Sequence, residues 1–240
     1  MRRLGLIAAL LLAPLQAGAQ VQCRHALSIG LDVSGSVNAE EYRLQLDGLA
    51  AALLHPEVQE AMLAFAGAHV RLQVYEWAGR DSQRDLLDWT EIRTAEDLAR
   101  IAATLRATPR IPREPETAIG LSMLYGALAL AQQPTCWRRT LDLSGDGRNN
   151  TGPRPRDLRG NAALDEITVN ALVVGSDSLS AADRRQAEIA GLWAYFKVEV
   201  IRGPEAFVEV ALGFEDFEAA MARKLLKELQ TLAVSRLAPR

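Results

Sequence analysis

What this chain lacks narrows its function before any motif is considered. No run of Lys and Arg occurs in its 240 residues, and because phosphate backbones are held by clustered basic side chains, nucleic acid is a poor partner. The apolar stretch Leu4 to Leu15 falls short of the roughly 20 residues that a membrane-spanning helix requires. The three histidines, His25, His55 and His69, do not cluster and read as structural or surface groups. Also missing are an Asp-x-Asp phosphoryl acceptor, a Gly-x-Ser-x-Gly elbow, a phosphate-cradling glycine loop and a second acidic cluster for a two-metal site. No internal repeat, low-complexity tract or linker is visible, so one α/β domain over residues 20–240 is expected.

The beginning has the layout of an export signal. Arg2 and Arg3 precede the apolar stretch, and Ala17-Gly18-Ala19 supplies a small-residue cleavage site, so residues 1–19 are expected to be a signal peptide. No Cys occupies the cleavage region, which gives no indication of a lipid-modified end. Removing those residues takes away two basic groups and leaves 25 basic against 30 acidic, a net charge of −5 that favours solubility. A periplasmic or secreted location follows. Only Cys23 and Cys136 are present; an even count in an exported chain points to one disulfide, the alternative being two buried thiols.

Segments of opposite periodicity alternate along the rest. His25 to Asp32 reads as a strand, and Asn38 to Leu54 as a helix capped by Asn38 with Glu41 three residues on. Val70 to Trp77 and Arg84 to Trp89 read as an antiparallel edge hairpin. Glu76 is uncomfortable there, since a carboxylate between Tyr75 and Trp77 needs water or a partner. Ala95 to Leu105 is helical, Thr108 to Glu116 a proline-rich loop, and Thr117 to Ala131 a helix apolar nearly all round. Arg139 to Ser144, Thr168 to Val174 and Ala206 to Ala211 are further strands. A last helix carries the stripe Phe214, Phe217, Met221, Leu225, Leu229 and Leu232, with Arg223, Lys224 and Lys227 placed late enough to complement its dipole. This predicts an α/β, Rossmann-like open sheet, mostly parallel with an antiparallel edge strand and helices on both faces.

Three pieces far apart in sequence offer oxygen ligands in loops after strands: Asp32-Val33-Ser34-Gly35-Ser36, then Thr117, then Asp146 in Ser144-Gly145-Asp146-Gly147. Spacing by two puts Asp32, Ser34 and Ser36 on one side of an extended turn, and Gly35 allows a tight bend. Carboxylates and hydroxyls without imidazole or thiolate suit a hard cation, Mg²⁺ first, with Mn²⁺ or Ca²⁺ as alternatives. The bland alternative is a strand-to-helix turn whose side chains cap backbone groups.

Asp32-x-Ser34-x-Ser36, a later lone Thr and an Asp after a further strand together resemble the metal-ion-dependent adhesion site of von Willebrand factor A domains. The resemblance spans roughly Arg24 to Leu232. Tyr75-Glu76-Trp77-Ala78-Gly79, Asn149-Asn150 and Phe214-Glu215-Asp216-Phe217 are similar to a functionally uncharacterised family of exported bacterial proteins carrying this domain. The resemblance implies that Ser34, Ser36 and Thr117 ligate directly, Asp32 and Asp146 directly or through water, and that one position stays open for an acidic side chain of a protein partner. Glu116, in Arg113-Glu114-Pro115-Glu116 where glycines are common in relatives, is a candidate sixth ligand that would close it. The family topology also places Cys23 and Cys136 side by side on neighbouring strands, which implies a disulfide. The function expected is a metal-dependent protein-binding module; a metal-stabilised structural domain, or a hydrolase using the ion as Lewis acid, is the alternative. The oligomeric state is left open.

Overall fold

The structure, a computed structural model, describes residues 22–175 and 182–235; the expected signal segment 1–19 and the side chain of Leu232 lie outside the described residues. Six strands form one sheet: β1 (Gln22–Asp32), β2 (Ala68–Trp77), β3 (Gln83–Ile92), β4 (Arg139–Gly145), β5 (Thr168–Val174) and β6 (Val208–Ala211). Their spatial order is β3-β2-β1-β4-β5-β6. The β2–β3 pair is antiparallel and every other pair parallel. Leaving β1, the chain builds outward on one side through β2 and β3, then crosses to β4 on the other. The order of strands therefore reverses between β1 and β4, which is where open parallel sheets form sites.

The helices are α1 (Ala39–Leu54), α2 (Pro56–Leu63), α3 (Ala95–Ala107), α4 (Ile119–Ala131), α5 (Ala182–Tyr195) and α6 (Phe217–Ser235). Alternate residues of the strands feed two cores, as a sheet covered on both faces requires. Leu27, Ile29 and Leu31 of β1 pack with Leu46 and Leu49 of α1, Leu98 and Ile101 of α3, and Met221 and Leu225 of α6. Tyr75, Leu141, Leu143 and Val173 face the other way, onto Met123 and Ala127 of α4 and onto Phe196. The Asn38–Glu41 capping box starts α1, and Thr94 with Asp97 makes a second one that starts α3.

Several elements depart from the sequence reading, each for a local reason. α4 starts at Ile119 rather than Thr117, because the Ala118 backbone is non-helical and its N–H donates to the Ala78 carbonyl (2.9 Å). That helix is buried on most sides, but Leu128 is 64% exposed, so its apolar surface does not all lie in the core. The strand expected from Arg84 runs further, to Ile92, and β6 begins at Val208 instead of Ala206. α2 and α5 had no sequence signal of their own: α2 is eight residues with only Val58 and Met62 buried, and α5 gathers its charges in the first half and small or apolar residues in the second. A π-type turn, Phe196–Val200, follows α5 and buries Phe196 and Val200.

Lys224 also corrects the reading. It does not face the α6 carboxyl end but is fully buried, with its Nζ 2.5 Å from Asp142 and 2.7 Å from Glu228. At the amino end of the sheet Cys23 and Cys136 form a disulfide. Asp32 lies nine positions further along β1 than Cys23, about 30 Å at the usual strand rise.

Candidate metal centre

Asp32 ends β1 and Asp146 follows β4, its neighbour in the sheet, so two carboxylates arrive at the point where strand order reverses. Asp32 is 2% exposed and Ser34 fully buried. The turn between them is fixed by its own backbone: the Ser34 N–H donates to Asp32 Oδ1 (2.9 Å), and the Val37 N–H to the Ser34 carbonyl (3.0 Å). Gly35 has an ordinary backbone conformation. Its role is space: a Cβ there would lie 2.9 Å from Pro115 Cβ, and its N–H donates to the Pro115 carbonyl (2.9 Å). The close approach brings the loop ahead of α4 onto the Ser34 turn.

That approach places Thr117 on the same cluster. Its hydroxyl donates to Ser34 Oγ (3.3 Å), Ser34 Oγ lies 3.3 Å from Ser36 Oγ, and the Ser36 hydroxyl donates to Asp146 Oδ1 (2.7 Å). The structure thus gathers Ser34, Ser36, Thr117 and Asp146 in one hydrogen-bonded chain, with Asp32 at its root. Glu116 is exposed and outside this chain. Its neighbour Glu114 is the engaged carboxylate, accepting from the Asp81 N–H and the Ser82 hydroxyl (3.2 Å each).

Supporting groups assigned no role from sequence complete the cluster. Gln45 of α1 donates to the Asp32 carbonyl (2.9 Å) and accepts from the Ser144 hydroxyl (2.8 Å), tying β1 to β4. The one signal for Gln45 is a polar residue beside Tyr42, Leu46 and Leu49 on the apolar side of α1. Asn150 Oδ1 accepts the Thr117 N–H (2.8 Å), and Asn149 Oδ1 accepts the Gly120 N–H (3.1 Å). The Asn149-Asn150 pair therefore pins the amino end of α4 beside the Asp146 loop.

The electrostatics of the cluster are unbalanced. Burial, and then the like charge of Asp146, push Asp32 well above the ordinary carboxylate range, with hydrogen bonds from Ser34 opposing only in part. Burial raises Asp146 as well. Asp32 Oδ2 is buried without a hydrogen-bond partner, and an unpaired buried carboxylate oxygen is costly unless a proton or cation meets it. Two carboxylates and three hydroxyls fit a hard divalent cation. Among the described residues no three His, Cys, Asp or Glu gather, so such an ion would depend on hydroxyls as much as on carboxylates.

Solved structures share the fold. Proximal thread matrix protein 1 from the mussel byssus, in a structure with a zinc-occupied MIDAS motif, superposes with a TM-score of 0.56 at 17% identity, over 89% of this chain and 49% of that one. Pilus adhesin SpaC from Lactobacillus rhamnosus GG gives 0.57 at 15% identity, over 88% of this chain and 31% of that one. A von Willebrand factor type A protein from Catenulispora acidiphila gives 0.55 at 14% identity, over 86% and 43%. The chain therefore spans about half or less of each of these proteins, and at such identities the likeness is one of fold. No curated protein sequence matches the chain. A family profile covers residues 22–233. With a six-stranded sheet of von Willebrand factor A type beneath that match, the chain belongs to the family described as protein of unknown function DUF1194.

Proposed function

We propose that this protein is a divalent-cation-dependent protein-binding module of the bacterial envelope, in which an ion held by Asp32, Ser34, Ser36, Thr117 and Asp146 bridges to an acidic side chain of a partner. The observation that carries the reading is the unpartnered, buried Asp32 Oδ2 beside a chain of hydroxyls that ends on a second carboxylate. A bound cation supplies the positive charge that this cluster lacks. Mg²⁺ is the first choice of ion, with Mn²⁺ or Ca²⁺ as alternatives, because all five side chains offer oxygen. The zinc-occupied MIDAS motif of the byssus protein and the adhesin identity of SpaC support a binding role on this fold.

Catalysis has less support. The Ser34 hydroxyl lies among the Ser36 and Thr117 hydroxyls and the Asp32 carboxylate, with no imidazole or amine to activate it as a nucleophile. Export is supported by the basic, apolar and small-residue order of residues 1–19, which would leave one domain over residues 20–240. The Cys23–Cys136 disulfide suits an oxidising compartment. No helix among the described residues is long and apolar enough to cross a membrane.

Affinity capture from bacterial envelope extract tests the reading, with Mg²⁺ present, with chelator, and with an Asp32→Ala variant. A partner recovered only by wild-type protein with Mg²⁺ is expected. Recovery of the same proteins in all three conditions refutes metal-dependent recognition.

A further inference from the structure

Glu76 is the carboxylate for which the sequence offered no role, and it is 1% exposed in β2. Four donors converge on it. Arg113 donates through Nε (2.9 Å) and Nη2 (2.7 Å) to Oε1, Arg84 of β3 donates through Nη2 to Oε2 (3.2 Å), and the Tyr42 hydroxyl of α1 donates to Oε2 (3.1 Å). Arg113 belongs to the loop between α3 and α4, four residues before Thr117. The same surroundings hold that loop by its backbone: Arg43 donates to the Thr108 carbonyl (2.8 Å) and Arg84 to the Pro109 carbonyl (3.3 Å). Beyond Arg113, Pro115 accepts the Gly35 N–H and Thr117 meets Ser34. Glu76 is thus the buried anchor of a loop whose far end supplies one hydroxyl of the cation cluster.

We propose that Glu76 is a positioning residue that, through Arg113, fixes the loop presenting Thr117 to Ser34 and thereby sets cation affinity; this rests on the reading of the cluster as a metal site. The physical reason is charge. Without the Glu76 carboxylate, the half-buried guanidinium groups of Arg84 and Arg113 share one place with no anion between them and repel each other. The loop loses its inner tie, and the Pro115–Gly35 bond loosens with it, while Glu114 still holds the β2–β3 turn. Thr117 then samples positions away from Ser34 in a protein that remains folded.

The test compares wild type with Glu76→Gln, Arg113→Gln, Thr117→Ala and the Glu76→Gln/Thr117→Ala double variant. The readouts are Mn²⁺ calorimetry and amide hydrogen exchange at Gly35, Thr117 and Ala118. Arg113→Gln breaks the same tie from the exposed side, so the test stands even where Glu76→Gln folds poorly. Both charge variants are expected to speed exchange at those amides and to weaken Mn²⁺ about tenfold, the scale of losses when groups behind metal ligands are changed. Glu76→Gln added to Thr117→Ala is expected to weaken it no further, since the effect passes through Thr117. Unchanged exchange and affinity in the single charge variants, or an equal loss with and without Thr117, overturns the inference alone. A wild-type protein that takes up no Mn²⁺ overturns the proposed function as well.

Discussion

Replacing Lys224 by Met is expected to destabilise the protein by about 3–5 kcal/mol at neutral pH, the usual cost of leaving a buried ion pair without one partner. Lys224 of α6 stands between Asp142 of β4 and Glu228 one helical turn on, all three at most 2% exposed. Glu228 has one further partner, the Asn170 amide (2.6 Å), whereas Asp142 depends on Lys224 alone among the described residues. Methionine keeps the length and packing of the stem, so the loss isolates the charge. Burial already pushes Asp142 to about 7 against the pull of Lys224. Without the ammonium Asp142 is held protonated in the fold to a still higher pH. The part of the penalty carried by Asp142 is therefore absent well below pH 7, where both proteins hold that carboxyl protonated, and grows above it by about 1.4 kcal/mol per pH unit. Adding Asp142→Asn and Glu228→Gln removes the stranded charges and is expected to recover most of the loss. Urea unfolding followed by far-UV circular dichroism from pH 5 to 9 measures all of this. A Lys224→Met loss below about 1 kcal/mol, a loss independent of pH, or a triple variant weaker than the single one refutes the reasoning.

Two further outcomes follow from buried groups at the amino end of the sheet. His25 is fully buried, with Nε2 2.8 Å from Thr140 Oγ1, and burial, aided by nearby Arg138, Arg24 and Lys224, pushes it down to about 3. The unfolded chain takes up that proton below about pH 6.5 and the fold does not, so stability is lost at about 1.4 kcal/mol per unit as pH falls towards 3. His25→Gln is expected to remove that slope from the difference between variant and wild type in urea titrations; an unchanged slope contradicts the assignment. The Cys23–Cys136 bond closes a sequence separation of 113, and its loss in Cys23→Ser/Cys136→Ser is expected to cost about 4–5 kcal/mol and lower Tm by about 10–20 °C. A thermal melt matching wild type contradicts that role.

The parts of this fold that were legible in the sequence are those in which one physical pattern dominates. The alternation of β2, the β-branched apolar run of β5 and the Asn38–Glu41 cap read directly, because burial and capping act on neighbours in sequence. α5 was not legible, since its charges cluster in the first half and its apolar residues, half of them alanine, in the second, nor was α2, which is too short to show a period. Lys224 was misread as a dipole partner because nothing local reveals that it lies under Asp142, 82 positions away in sequence. In the candidate site, the Asp32-x-Ser34-x-Ser36 spacing and the lone Thr117 and Asp146 could be read as ligands. The means of holding them could not: Glu76, Gln45 and Asn150 act through contacts between distant elements. Gly35 shows the same division, read as a bend in the chain but required by the approach of Pro115.

The central claim is met most directly by isothermal titration of Mn²⁺ and Mg²⁺ into metal-free protein, wild type beside Asp32→Ala. The account predicts a single ion per chain in wild type and uptake at least about a hundredfold weaker in the variant, because Asp32 is the buried carboxylate whose free oxygen the cation satisfies. No uptake by the wild type, or equal uptake by both proteins, would contradict it.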